Sequence, residues 1–526
     1  MAVLSPYVDI PTYDNDHWTT TTFSSREKFK EFLTPLFKKP GTVEFDDVSS
    51  AIINVEGRKF QKQGYYCDAP IKSKDFILYW DDQKNKCRKG IIIKNGDKTW
   101  YISREYYMWL NFLPIYDKEE KRFDFAKIRD AQYYMSLYEL LAELNDRHAV
   151  ILKKRQIASS YYHMAKFINH WVFEEGAVLK IGASLKDYIN LKGSWKFLDE
   201  YRNFLNQHTA WYRPAEPDKE GSWQQQIKVR QNGRDTYRGL KGTINSYSFE
   251  KNPTNGVGGP VTYFFHEEAG IAPKMDDTYG FMKPALKSGH MITGQFIAAG
   301  SVGDLDQCEP LKLYVERPEE NGFFGIESDL LDSKGTIGIT GLFIPEQWSM
   351  PPYIDEYGNS KVEEALEALD KEFERLKRDL EPAAYQLEVS QHPRTIEEAF
   401  ATRKLSIFPP HLISKQMQRI QDKEYPVEYL ELSRDTDGKI IDKPSRKIPI
   451  TEWPISKKIE DKEGVICVYE RPCKDSQFGN YYASVDPVGE GKTTTSDSLC
   501  AIYIYKNPVE VIIDDGDGKV KSRVER

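Results

Sequence analysis

The clearest hydrophobic pattern begins near Phe125. Residues Ala126 to Asn145 carry apolar side chains at Ile128, Met135, Leu137, Leu140 and Leu141, which is helical spacing. A short apolar run follows, His148-Ala149-Val150-Ile151-Leu152. After it come a polar loop, a second helical pattern from Tyr161 to Val172, and a strand from Ala177 to Ile181. Helix, strand, loop, helix and strand in this order open a βαβ nucleotide-binding fold. Val261-Thr262-Tyr263-Phe264-Phe265 predicts another buried strand, ending in His266-Glu267-Glu268, and Met291 to Ala299 predicts one more. Acids and bases alternate from about Lys361 to Leu380, the pattern of a solvated helix.

The flanks read differently. Met1 to Asp124 is mixed and aromatic-rich. Phe76-Ile77-Leu78-Tyr79-Trp80 and Gly90-Ile91-Ile92-Ile93-Lys94 predict short strands there, and Asn95-Gly96 predicts a turn. No catalytic constellation is visible in it, so a packing or docking role is expected. Asp422 to Gly464 repeats Lys, Asp, Pro and Gly, as a hairpin-rich connector does. Asn480 to Tyr505 predicts two strands joined by a Gly/Thr/Ser turn. These shifts divide the chain into 1–124, a mixed α/β extension; 125–405, an α/β domain; 406–475, a connector; and 476–526, a last segment.

Composition narrows the class. A chain of 526 residues predicts two or more domains. With 40% hydrophobic and 29% charged residues it has the balance of a globular protein, and 13% aromatics suffice for sizeable cores. No stretch approaches the run of about 20 apolar residues that spans a membrane. The start, Met1-Ala2-Val3-Leu4-Ser5-Pro6, lacks a signal-peptide pattern, so a cytoplasmic protein is expected. The six cysteines are scattered without a CxxC pair, as reduced thiols are. A net charge of −8 has the wrong sign for static wrapping of nucleic acid. It leaves room for a motor that touches DNA through a local basic patch.

Two segments carry candidate chemistry. Lys153-Lys154-Arg155-Gln156-Ile157-Ala158-Ser159-Ser160 lies between a strand and a helix, where backbone N–H groups cradle phosphate. It departs from GxxxxGK[ST]: neither glycine is present, and Ser159 stands at the usual lysine position. A phosphate loop needs a cation near the β/γ-phosphates and a hydroxyl on Mg²⁺. Ser160 supplies the hydroxyl; Lys153 is the leading cation and Lys154 its competitor. Arg155 is a candidate to stabilise transition-state charge. The second segment is the strand end at Glu267-Glu268, with Glu267 expected on the metal side and Glu268 as catalytic base.

These pieces, in their order, resemble the large terminase subunits of tailed phages. Ile128-Arg129-Asp130-Ala131-Gln132-Tyr133 looks like the family's segment before the phosphate loop, in which a Gln contacts adenine; Gln132 matches it. Lys154 to Ser160 is similar to the family's SRQxGKS/T loop, with the lysine moved to the loop's beginning at Lys153. Lys180-Ile181-Gly182-Ala183-Ser184 resembles the strand after the loop helix. Gly242-Thr243-Ile244 and Gly256 to Pro260 look like the approach to the acidic strand. Ile297-Ala298-Ala299-Gly300-Ser301 resembles the coupling motif, and Pro393-Arg394-Thr395-Ile396-Glu397-Glu398-Ala399-Phe400 the family's P-x-T-x-EEAF segment. The resemblance covers roughly residues 125 to 500.

The resemblance implies an α/β P-loop NTPase of the ASCE type, a mostly parallel sheet flanked by helices, followed by the first strands of an RNase H-like nuclease. It implies an ATPase that uses ATP and Mg²⁺ to drive double-stranded DNA into a procapsid. Portal protein, small terminase subunit and a homo-oligomeric ring would be its partners. It would work in the host cytoplasm and transiently at the portal vertex, not in a membrane. Tyr481 to Gly489 resembles the first nuclease strand, with Asp486 as ligand for Mg²⁺ or Mn²⁺. The family's later acids lie beyond the first hairpin, and the chain stops at Arg526, so an incomplete nuclease is expected. Asp514, Asp515 and Asp517 read as turn acids. Two other readings compete. A helicase-like translocase would carry a second ATPase lobe after about residue 400. A degenerate scaffold would bind without hydrolysis, and Ala158 and Ser159 are its best support.

Overall fold

The apolar runs around the two candidate segments meet in a single sheet. The computed structural model describes residues 7–117, 120–256, 258–303 and 305–401, and beyond them 427–447, 449, 464–472, 474, 479–486, 501–507, 509–514 and 520–525. The chain divides into two compact units between Leu405 and Ser406.

In the first unit, β1 (Ala149–Lys153), β2 (Val178–Ala183), β3 (Thr243–Ser248), β4 (Tyr263–His266), β5 (Gln295–Gly300) and β6 (Leu342–Ile344) are the parallel strands of an eight-stranded sheet. Their spatial order is β6-β1-β5-β4-β2-β3. Ser222–Gln224 and Asp218–Lys219 extend the β3 edge antiparallel. Every residue of β1, β4 and β5 is buried, because parallel strands are covered on both faces. Alternate side chains enter two cores. Ile151, Phe265 and Ile297 face one; Val150, Leu152, Phe264 and Phe296 face the other.

Among the helices, in chain order, are α1 (Lys74–Lys89), α2 (Arg104–Phe112), α3 (Asp130–Leu144), α4 (Ser159–Phe173), α5 (Ser194–His208), α6 (Leu305–Glu316) and α7 (Val362–Asp379). Helices α3 and α4 are buried nearly all round and fill the first core; α6 covers the second. The solvated helix predicted at 361–380 is α7.

Residues 76–80, predicted as a strand, lie inside α1. Ser73 caps the helix by accepting from the Phe76 N–H, and Gly90 ends it. Trp80, Gln83 and Cys87 are buried at helical spacing while Ile77 and Leu78 stay exposed. The periodicity of the whole segment outweighs five residues of β propensity. The run from Gly90 does form a strand, Ile91–Asn95, in a four-stranded sheet with Ile10–Asp14, His17–Thr21 and Lys98–Ile102. The stretch predicted as one strand at 291–299 is split, with Met291–Ile292 separate from β5.

In the second unit, Glu428–Arg434, Ile440–Pro444 and Ile466–Val468 form an antiparallel sheet. Tyr481–Asp486 pairs with Ala501–Lys506. Val509–Asp514 pairs with Val520–Glu525, so Asp514 ends a strand; Asp515 and Asp517 lie outside the described residues. Cys67, Cys87 and Cys467 are free thiols. Among the described residues no helix is long and apolar enough to cross a membrane.

Candidate active site

The sequence from Lys153 to Ser160 turns sharply at the end of β1. Gln156 (φ 60°) and Ala158 (φ 56°) both occupy the left-handed region. That region costs a residue with a Cβ of order 1–3 kcal/mol, a cost most often met at functional sites. Helix α4 starts directly after Ala158, a residue with no side-chain group to cap it. Its first N–H groups are therefore available to an anion.

The two lysines diverge, as neighbours on a strand do. Lys154 Nζ donates to the Glu346 carbonyl at 3.1 Å and the Ser349 carbonyl at 3.2 Å, and lies 3.6 Å from the Glu346 carboxylate. Burial pulls its pKa down, and Glu346 opposes that. The same 346–360 loop is held by the buried Asp130 carboxylate, which accepts from the Ser360 N–H and hydroxyl and from the Gly41 N–H. Lys154 is thus committed to a structural tie. Lys153 Nζ instead lies 3.7 Å from Glu268 Oε1.

The acid pair follows β4. The Glu267 N–H donates to the Gly182 carbonyl at 2.8 Å, which fixes the strand end against β2. The Glu267 carboxylate is buried and accepts two hydroxyl hydrogen bonds. Ser160 Oγ donates to Oε1 at 2.8 Å, and Ser194 Oγ, at the start of α5, donates to Oε2 at 2.6 Å. Burial raises the Glu267 pKa, with Glu268 adding to the rise; Ser194, Ser160 and Lys153 pull against it. Glu268 itself takes a left-handed backbone (φ 48°) and stays partly exposed.

Gly300 and Ser301, at the end of β5, pack backbone to backbone on the turn after the acids. A Cβ on Gly270 would sit 1.8 Å from the Ser301 carbonyl oxygen, and one on Gly300 would sit 2.5 Å from the Gly270 nitrogen. Only glycines allow this approach.

Gln132, on α3, donates through Nε2 to the Ile157 carbonyl at 3.1 Å. Its Oε1 is buried and has no partner among the described residues. Ser159 turns inward. Its hydroxyl meets His163 Nδ1 at 3.1 Å, and His163 continues to Glu139, which also accepts from Lys166 at 2.9 Å. Arg155 and Gln156 are exposed on the loop. The site therefore gathers Lys153, Ser160, Glu267 and Glu268, with Gln132, Gly300 and Ser301 around them. Asp486 belongs to the second unit, and its side chain lies outside the described residues. Among the described residues no group of three or more His, Cys, Asp or Glu side chains is arranged to hold a metal.

Sequence reasoning missed Ser194, Glu346 and Ser349. The signal for Ser194 was faint: a Gly-Ser step opening a helix shortly after β2. Gly193 is needed there because a Cβ would lie 2.1 Å from the Tyr188 carbonyl oxygen.

No family model matches the sequence, and no curated protein does. Solved structures do. The large terminase ATPase domain of Thermus phage P74-26 aligns at 9% identity and a TM-score of 0.31, over 47% of this chain and 88% of that one. An arginine-to-alanine mutant of the same domain gives 9% and 0.30. The large terminase of bacteriophage HK97 aligns at 12% identity and a TM-score of 0.32, over 64% of this chain and 66% of that one. These three solved structures, to which this chain is similar, are phage large terminases or their ATPase domain.

Proposed function

We propose that the first unit is an ATPase motor that drives double-stranded DNA into a viral procapsid, as a large terminase subunit does. The observation that carries the ATPase reading is the Ser160–Glu267 hydrogen bond of 2.8 Å, with Lys153 beside Glu268 at 3.7 Å. A strand-to-helix turn, a hydroxyl, a buried carboxylate, a cation and a second carboxylate are the parts that phosphoryl transfer to water requires. The strand order supports an ASCE-type domain, since only β5 separates the loop strand β1 from the acid strand β4.

The donor set suits Mg²⁺: Ser160 and Glu267 offer hard oxygen ligands, and Glu267 reaches Ser160 without moving. Bound there with ATP, Mg²⁺ would neutralise phosphate charge. The chain's own groups do the rest. Helix α4 presents its first N–H groups to the phosphates. Lys153 leaves Glu268 for the γ-phosphate, which frees the Glu268 carboxylate to orient water and take its proton. Arg155, exposed on the loop, adds a second cation. Gln132, whose Oε1 is buried without a partner among the described residues, would contact the adenine base. Gly300-Ser301, tightly packed on the turn after Glu268, carries the change to β5.

Portal protein, a small terminase subunit and a ring of copies are the proposed partners, in the host cytoplasm and at the portal vertex. For the second unit we propose the opening of an RNase H-like nuclease. The support is the antiparallel pairing of Tyr481–Asp486 with Ala501–Lys506, with Asp486 as ligand for Mg²⁺ or Mn²⁺. The inward turn of Ser159 favours one rival, a scaffold that binds ATP without hydrolysis.

Turnover by the whole chain and by Glu268→Gln decides between them. The motor reading expects ATPase activity that falls about 100-fold or more in the variant while ATP binding persists. Binding without turnover in the wild type selects the scaffold, and equal turnover in both removes Glu268 from the chemistry.

A further inference from the structure

A two-stranded ribbon stands apart from every sheet of the first unit. Ile227–Gln231 pairs antiparallel with Arg234–Arg238, and among the described residues no further strand joins them. Gln231 faces Arg234 across Asn232-Gly233, whose φ values of 50° and 76° make the two-residue turn that matches strand twist. Every side chain but Val229 is exposed. A free ribbon of this size is marginal in water, so its persistence needs a root and its exposure needs a purpose.

The root is rigid. Gln225 is buried, accepts from the Leu240 N–H at 2.8 Å, and its backbone pairs with Lys241 and Gly242. Gly239 (φ 144°) would place a Cβ 2.5 Å from the Gln225 carbonyl oxygen. Helix α4 ends on the same root: Trp171 Nε1 donates to the Gly242 carbonyl at 3.1 Å, and the Gly176 N–H to the Leu240 carbonyl at 2.7 Å. One helix thus runs from the phosphate loop to the base of the ribbon, about 22 Å for its 15 residues.

Charge suggests the occupant. Residues 227–241 hold Lys228, Arg230, Arg234, Arg238 and Lys241 against one acid, Asp235, in a chain whose net charge is −8. Asp235 is paired with Lys228 at 2.8 Å. The pairing puts Arg234 and Arg238 on one face and Arg230 on the other. Three planar guanidinium groups on both faces of a narrow ribbon suit phosphate, which they bind in bidentate fashion. The major groove, about 12 Å wide, admits a two-stranded ribbon. An acidic protein face fits less well, because protein interfaces centre on buried apolar anchors, and only Ile227, Val229 and Tyr237 are apolar or aromatic here.

We propose that the Ile227–Arg238 ribbon grips the phosphate backbone of double-stranded nucleic acid, inserted along a groove. The choice of partner rests on the motor reading; the placement of the grip does not. The test measures binding of the full chain to a duplex of about 30 base pairs, at salt between about 50 and 200 mM. Wild type is compared with a variant carrying Arg230→Gln, Arg234→Gln and Arg238→Gln. A control carries Lys371→Gln, Arg375→Gln and Lys377→Gln on α7. ATP turnover is followed in all three. The ribbon variant is expected to bind about tenfold or more weaker, with the log–log salt slope reduced by about 2.7, near 0.9 for each lost contact. The control should match wild type. Turnover without DNA should be equal throughout, which also shows that the fold is intact. Equal affinity and slope in the ribbon variant overturn the grip and leave the motor reading standing if turnover persists. Wild type that hydrolyses ATP but does not bind duplex at low salt also overturns it. A ribbon variant that keeps duplex but loses polyglutamate assigns the ribbon to an acidic protein instead. Wild type that neither binds duplex nor hydrolyses ATP removes both readings.

Discussion

Two strands of this chain end in an acid that the sequence marks for metal binding, and they end very differently. Strand β4 is buried along its whole length, lies between β2 and β5, and delivers Glu267 to two hydroxyls from two helices. Tyr481–Asp486 has one partner strand among the described residues, Ala501–Lys506, and the pair exposes Tyr482, Val485, Ile502 and Ile504. A terminal acid becomes a candidate site where other elements converge on it. The burial that brings them together also makes the charge costly, and Ser194, Ser160 and Lys153 offset that cost at Glu267.

The widest contrast to test is between the neighbouring lysines at the β4 side of that comparison. Lys153→Ala is expected to lower ATP turnover about 100-fold, with little change in the unfolding temperature. Lys154→Ala should act mainly on stability, costing about 1–3 kcal/mol as the half-buried Glu346 and buried Ser349 carbonyls lose their donor. Calorimetry alongside turnover reads both; the reverse pattern would exchange their roles.

Glu267→Gln should abolish Mg²⁺-dependent turnover yet raise the unfolding temperature at neutral pH, by about 1–3 °C. The sign follows from the raised pKa. A carboxyl whose folded value lies above its unfolded value is penalised once both states are ionised. The advantage of the variant is therefore full above the folded pKa and disappears below the ordinary glutamate value of about 4.3. Thermal melts of both proteins across pH check it; an advantage that grows as pH falls would contradict it.

Ser194→Ala should have a smaller effect, a loss of turnover of about threefold to tenfold that shifts with Mg²⁺ concentration, because Ser160 still holds Glu267. A loss that added Mg²⁺ leaves untouched would deny Ser194 a part in orienting Glu267. Smallest of all, Asp486→Asn should leave ATP turnover within about twofold of wild type, as expected for a change outside a functional site. A large loss there would erase the contrast between the two strand ends.

Much of the central sheet was legible because buried parallel strands are continuous apolar runs: β1, β4 and the helix α4 sit where the periodicity places them. Helix α1 was hidden because Phe76-Ile77-Leu78-Tyr79-Trp80 is locally strand-like, and only its caps and burial over 16 residues reveal the helix. Ser194 was hidden because it meets Glu267 across 73 residues of sequence.

The sequence alone determined the order of elements, the two candidate segments and the Asn95-Gly96 turn, since each depends on residues near one another in the chain. Which lysine faces Glu268 and which faces Glu346 was decided by tertiary structure. Alternation sends Lys153 and Lys154 to opposite sides, but only the sheet order β6-β1-β5-β4 sets what lies on each side. The inward turn of Ser159 has the same origin: the buried His163–Glu139–Lys166 chain exists only once α3 and α4 pack together.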